Sequence, residues 1–302
     1  MSRIGWLAFL LCAAVAPLGA QEGRSARALK VYISADMEGV VGTVTPDQLG
    51  PGGFEYERYR RFMTAEVNAA IAAAKSAGAT QIVVSDSHGN GENLLIEELP
   101  EDVVVVRSWP RPLMMMQGID STFHAAIFIG YHASAVNPRG VRAHTISSAR
   151  LQDVRLNGRS MPEGGINAAI AGYFGVPVVM VSGDDVAVSE LKALLGDVEA
   201  AVVKRALSFH SAETLTPEAA RRLIGEKVAV ALRQLERFKP LVLPAPVALE
   251  LRFKHYRPAE VLAYLPIVER VDAHSIRYVG PDILAVSRFL EFVTTYAFNL
   301  EP

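Results

Sequence analysis

The 302-residue sequence holds a single cysteine, Cys12, inside an apolar stretch at its N-terminus. A chain relieved of that stretch has no thiol at all, which excludes disulfides, thiolate metal sites and a cysteine nucleophile. An excess of charge is also missing. With 30 basic and 32 acidic residues and a formal net charge of -2, nothing suggests nucleic acid or an anionic membrane surface as a partner. There is no internal repeat and no low-complexity segment. The N-terminal apolar run, Ile4 to Ala16, falls short of the ~20 residues a membrane span needs. Half of the residues are apolar, enough for a substantial core held by packing alone.

The N-terminus has the layout of an export signal. Arg3 precedes the apolar run, Pro17 breaks it, and Leu18-Gly19-Ala20 supplies small residues before the polar Gln21-Glu22-Gly23-Arg24. Residues 1–20 therefore read as a cleaved signal peptide and 21–28 as a polar leader. An exported, periplasmic location is the expectation, with no membrane attachment after cleavage.

Beyond the leader, strand-like and helix-like runs alternate. Leu29 to Ala35 has the β-branched and aromatic content of a strand, and Asp36-Met37-Glu38-Gly39 follows it. Gly39 to Phe54 reads as a long loop. Tyr56 to Ala77 has helical spacing and is stopped by Gly78. Gln81 to Ser85, Val103 to Val106, Ala125 to Ile129 and Val178 to Val181 read as further strands, and Glu163 to Gly175 and Val186 to Leu195 as helices. This rhythm predicts an α/β fold with a mainly parallel sheet flanked by helices, a three-layer α/β/α arrangement. From His210 the pattern shifts. A helix from Thr216 to Phe238, an alternating strand Val247 to Phe253, and helices over Pro258 to Tyr264 and Asp282 to Phe298 suggest a smaller α+β C-terminal part. The expected division is 29–209 for a metal-binding catalytic domain and 210–302 for the C-terminal domain.

Ligands of open α/β sheets bind at the carboxyl ends of strands, and that is where the metal-capable residues gather. Asp36 and Glu38 follow the first strand, His88 the second, and His132 the strand at 125–129; His144 sits in a loop beyond, and Glu163 opens a helix. Imidazole and carboxylate together suit zinc and similar divalent ions, and a shared carboxylate can bridge two of them. Each residue also has a plainer explanation: a strand-end turn, a cap, or a favourable charge at a helix start. Asp86 either caps its turn or holds His88 from behind. Asp184 and Asp185 form another strand-end pair, one of which caps the next helix. Lys204 is read as a solvated lysine in preference to a cleft cation. Met114-Met115-Met116 reads as packing or an oligomer contact, and His124, His210, His255 and His274 have no supporting context.

The blocks Asp36-Met37-Glu38-Gly39, Met63 to Ala70, Asp86-Ser87-His88, Gly130-Tyr131-His132-Ala133, Glu163 to Ala168 and Val181 to Asp185, in that order, resemble the zinc-dependent D-aminopeptidase family of the dipeptide-permease operon. The likeness runs from about Leu29 to Ser211 and more loosely beyond. It implies that Asp36 bridges two zinc ions per chain, that Glu38, His88, His132 and Glu163 complete the sites, and that His144 is catalytic. It also implies a ring-shaped homo-oligomer, a decamer in the best-known case, enclosing the active sites. The export signal and the segment Thr145 to Gly158 depart from the family pattern, and the second departure leaves substrate preference open.

The resulting expectation is an exported dinuclear zinc aminopeptidase acting on short peptides with an N-terminal D-residue of the D-Ala type. The alternatives are an amidase or phosphoesterase on the same ligand set, and a non-catalytic periplasmic peptide- or metal-binding protein.

Overall fold

The computed structural model describes Met1 and residues 28–296; the expected signal peptide and leader fall in the segment 2–27, outside the described residues but for Met1 and Ala28. Among the described residues no helix is long and apolar enough to cross a membrane. The elements are β1 (Leu29–Ala35), α1 (Tyr56–Ser76), β2 (Ala79–Asp86), β3 (Val103–Val106), β4 (Ala125–Tyr131), β5 (Leu151–Leu156), β6 (Arg159–Ser160), α2 (Glu163–Tyr173), β7 (Val178–Asp184), α3 (Asp185–Leu195), β8 (Glu199–Ser208), β9 (Ser211–Thr214), α4 (Pro217–Leu232), β10 (Val247–Phe253), α5 (Tyr256–Leu262), β11 (Val268–Arg270), β12 (Ser275–Gly280) and α6 (Ile283–Thr295).

Seven strands form one sheet in the order β3-β2-β1-β4-β7-β8-β9. All its pairings are parallel except β8 with β9. Strand order reverses between β1 and β4, and the crevice beyond that point is where such sheets bind ligands. The strands are apolar on both faces, as burial on both sides requires. In β1, Val31, Ile33 and Ala35 face a core shared with Met63, Val67 and Ile71 of α1 and Ile224 and Val228 of α4. Tyr32 faces the opposite core, where Phe128, Ile166 and Ile170 meet Leu249, Leu251 and Phe289.

The second sheet, β11-β12-β10-β5-β6, has only antiparallel pairings. It corrects the expected division at 209/210. Residues 151–160, inside the expected first domain, supply β5 and β6 to this sheet, whereas β9 and α4, beyond the boundary, belong to the seven-stranded one. The physical reason is non-local pairing: Leu251 lies opposite Val154, a partnership that no local periodicity announces. The helix expected to reach Phe238 stops at Leu232, followed by a single 3-10 turn at Leu235–Arg237.

Glycines fasten the strand ends at the switch point. The Gly39 amide donates to the Gly130 carbonyl at 2.7 Å, and the Asp36 amide to Ile129 at 2.8 Å. A Cβ on Gly39 would lie 2.1 Å from the Tyr131 carbonyl oxygen, and one on Gly130 2.1 Å from that of Asp36. Gly39 is thus required by close approach of two backbones.

Candidate active site

The structure brings all six sequence-singled residues to one buried pocket at the β1/β4 crevice. Asp36 leaves β1 with its side chain turned back, Oδ1 accepting the Met37 amide at 2.8 Å. That oxygen also lies 3.2 Å from His88 Nδ1, while Oδ2 lies 3.3 Å from His132 Nε2. Asp36 is therefore the shared member of two clusters. On one side, Glu38 Oε2 approaches His88 Nδ1 at 2.9 Å. On the other, Glu163 Oε2 is 3.4 Å from His132 Nε2. His144 stacks on His132, ring centroids 4.1 Å apart, and its Nε2 lies 3.6 Å from Glu163 Oε1 and 3.9 Å from Glu38 Oε1.

The outer nitrogens of the three imidazoles are each held by a backbone carbonyl. His88 Nε2 donates to Leu49 at 2.7 Å, His132 Nδ1 to Ala133 at 3.0 Å, and His144 Nδ1 to Arg142 at 2.9 Å. Those bonds fix the tautomers, so each neutral ring turns a lone pair toward the carboxylates. Lone pairs facing carboxylates repel unless a positive charge lies between them. Asp36 Oδ2, Glu38 Oε2 and His132 Nε2 are indeed buried without a hydrogen-bond partner. Two groups, Asp36/Glu38/His88 and His132/His144/Glu163, have donor atoms close enough to hold a metal ion. The donor set of imidazoles and carboxylates fits zinc.

The electrostatics carry the same message. Burial, reinforced by the Glu38 charge, raises the Asp36 pKa to about 8. Burial alone would depress His132, yet Glu163 and Asp36 raise it to about 10; the same contest, with Glu38 dominant, holds His88 well above its ordinary value. His144 goes the other way, lowered by burial and by His132. A buried group of acids that draws protons onto its neighbours is a group that a cation stabilises.

Backbone strain brackets His144. Arg142 and Ile146 have φ of 53° and 64°, a left-handed conformation costly for a β-branched residue. Glu163 Oε1 accepts the Ile146 amide at 2.6 Å and fixes that turn.

Around this centre several readings change. Lys204 is not solvated: it is 2% exposed, and its Nζ donates to the carbonyls of Glu38, Val40 (3.1 Å) and Thr43 (2.6 Å). Burial lowers its pKa to about 8, against the pull of Asp184 and Glu66. Its partners lie more than 160 residues earlier in the chain, so no local pattern announces them. Asp86 makes no hydrogen bond to the His88 ring. It accepts the amides of Asn93 and Leu94 and the Asn93 side chain, and Asn93 in turn donates to the His88 carbonyl at 2.6 Å. Asp184 caps α3, accepting the amides of Val186 and Ala187, while Asp185 accepts that of Ala206. All three methionines are buried, and the Met115 carbonyl accepts Ser34 and Ser87. Glu66 was passed over as a functional residue; its signal was an acid at the spacing of Met63, Val67 and Ala70, the buried face of α1. It accepts the Val41 amide at 3.0 Å.

The centre opens into a cavity of about 400 Å³, walled by Trp109, Met114 and Met115 on one side, by Ile146, Ser147 and Arg150 on another, and by Glu291, Thr294 and Thr295 of α6. That volume lies within the range of small-molecule sites.

The D-aminopeptidase family profile matches residues 29–292. A D-aminopeptidase of Bacillus subtilis (strain 168) is 36% identical over 270 residues, covering 89% of this chain and 98% of the relative. Among solved structures, a zinc-dependent D-aminopeptidase from Bacillus subtilis, described as a self-compartmentalizing protease, superposes with a TM-score of 0.86 at 35% identity, over 90% of this chain and 99% of that one.

Proposed function

The chain belongs to the D-aminopeptidase family, and from that premise we propose that it is an exported dinuclear zinc aminopeptidase releasing the N-terminal D-residue, of the D-Ala type, from short peptides. The observation that carries the two-metal reading is Asp36, whose two oxygens face two separate donor groups. Glu38 and His88 would hold one zinc ion, His132 and Glu163 the other, with Asp36 between them. When bound, such a pair supplies Lewis-acid polarisation of the scissile carbonyl and an activated water.

The chain's own residues do the rest. His144, with Nδ1–H on the Arg142 carbonyl, presents Nε2 as a base beside Glu38 and Glu163. It takes a proton during attack and returns it to the leaving amine. Its stacking on His132 and the pinned turn at Ile146 hold that nitrogen in place. The cavity walls exclude water and orient the peptide.

Export is supported by the signal-like segment 1–20, and is tested by the mass of the secreted chain, expected to begin at Gln21. A closed ring of subunits, ten by the family resemblance, is supported by the self-compartmentalizing relative and by exposed Tyr256 of α5, Tyr264, Ile267 and Val279 of β12, apolar area that assembly would cover. Light scattering on the purified protein tests it; a monomer at micromolar concentration would refute it.

The direct test is hydrolysis of D-Ala-p-nitroanilide beside its L-enantiomer by zinc-loaded protein, with metal content measured in parallel. Preferential D-cleavage with about two zinc per chain is expected. A zinc-loaded protein inert toward every D-Ala peptide would overturn the reading.

A further inference from the structure

The cavity contains one acid that the metal centre does not use. Glu291, on α6, is 6% exposed and lines the same cavity as Glu38 and His144. Its Oε1 accepts the Arg111 amide at 2.9 Å; among the described residues Oε2 has neither a hydrogen bond nor an ion pair. The guanidinium of Arg111 is committed elsewhere, to Ser85 Oγ at 2.8 Å, to the carbonyls of Asp86 (2.7 Å) and Ser108, and to the face of Trp109. Arg150, the one lysine or arginine in the lining, sends Nη1 to the Thr294 carbonyl at 2.6 Å and forms no ion pair with Glu291. Arg111 acts on this carboxyl only through its amide and through space, which does not offset the upward push of burial on its pKa, so a cation delivered to Oε2 from the cavity would stabilise it. Its other three companions in the lining, Asp36, Glu38 and Glu163, already face the imidazoles.

We propose that Glu291 binds the α-ammonium of the substrate's first residue and so restricts the enzyme to peptides with a free N-terminus. The inference rests on the aminopeptidase reading. A peptide α-amine has a pKa of roughly 7.7–8.0 and is largely cationic at neutral pH; a blocked or internal residue is not. An ion pair made inside a partly dry cavity discriminates far better than one in water. The anchor also has a stereochemical use. With the carbonyl at the metal centre and the ammonium at Glu291, two substituents of the substrate Cα are fixed. The side chain and hydrogen then exchange places between enantiomers, which lets the cavity wall tell them apart.

The test uses the zinc-loaded full protein. Glu291→Gln keeps an acceptor for the Arg111 amide and removes the charge; zinc content and melting temperature should match wild type. With D-Ala-p-nitroanilide the variant should raise KM about ten- to a hundredfold with kcat little changed, and Glu291→Asp should restore part of the loss. An unchanged KM overturns the proposal. A second measurement is independent of turnover: calorimetric binding of D-alaninamide and of propionamide, which lacks only the amine. Wild type should prefer D-alaninamide and Glu291→Gln should lose the preference. Equal affinity or no binding of either by wild type, or a preference retained in the variant, overturns it. An amine preference that depends on Glu291 in a protein without peptidase activity would remove the function and leave the anchor; turnover indifferent to Glu291 would do the reverse.

Discussion

The two sheets contribute to one cavity in different ways. The parallel sheet and the loops at its carboxyl edge supply Asp36, Glu38, His88 and His132, with His144 from the loop before β5 and Glu163 from the first turn of α2 joined to them. There the backbones touch, so that a Cβ at Gly39 or Gly130 has no room. The antiparallel sheet brings no donor to the metal centre; α6, packed against it, supplies a wall through Glu291, Thr294 and Thr295. Chemistry thus sits where main chains converge and geometry is over-determined. Recognition sits on a helix whose side chains can vary without disturbing the donors. Substitutions among the donors of the first region should change zinc content or kcat, and substitutions on the α6 wall of the cavity KM.

The most severe way to break the first region is Asp36→Ala, which removes the shared carboxylate. Zinc content should fall below one per chain at metal concentrations that saturate wild type, with affinity down more than about a hundredfold, since even outer partners of metal ligands cost 10- to 100-fold. Retention of two tightly held ions would show that Asp36 does not bridge. Next comes His144→Ala, expected to lower kcat about 10²- to 10⁴-fold while metal analysis still finds the wild-type zinc content. Loss of one ion instead would make His144 a ligand, as its place beside His132 and Glu163 permits.

A smaller effect belongs to Glu66, whose pKa burial raises to about 7. The unfolded carboxyl releases its proton near pH 4.5, while the folded one keeps it to about 7. Between those values the unfolded state binds fewer protons, so stability falls as pH rises, by about 3 kcal/mol for this group. Urea unfolding of metal-free protein at pH 4.5 and 7.5 should show that slope, and Glu66→Gln should flatten it. The least consequential change lies on the second sheet. Arg277 pairs with Glu250 and Glu269 in solvent, and Arg277→Ala should leave zinc content, kcat and KM at wild-type values. A loss of metal there would mean the two regions are not separable.

What the sequence disclosed divides along a similar line. Strand ends and donor residues are local signals: β1 is a short apolar run that stops and is followed by Asp36 and Glu38, and the six residues singled out by such signals and by the family resemblance lie together in the structure. Partners fixed by distant segments were not. β5 acquires its place only by pairing with β10, about a hundred residues on. The pinned turns around His144 depend on Glu163, and Lys204 depends on carbonyls more than 160 residues before it. Glu291 did leave a trace, a lone acid on the buried face of α6 beside Leu290 and Ser287. Reading it needed the cavity.

Lys204 has a bearing on how the protein lives with scarce metal. Its ammonium, caged by the carbonyls of Glu38, Val40 and Thr43, is a cation the chain carries covalently, and no chelator or competing protein can strip it away. The loop presenting Glu38 is thereby tied to β8 by contacts that do not pass through the ion.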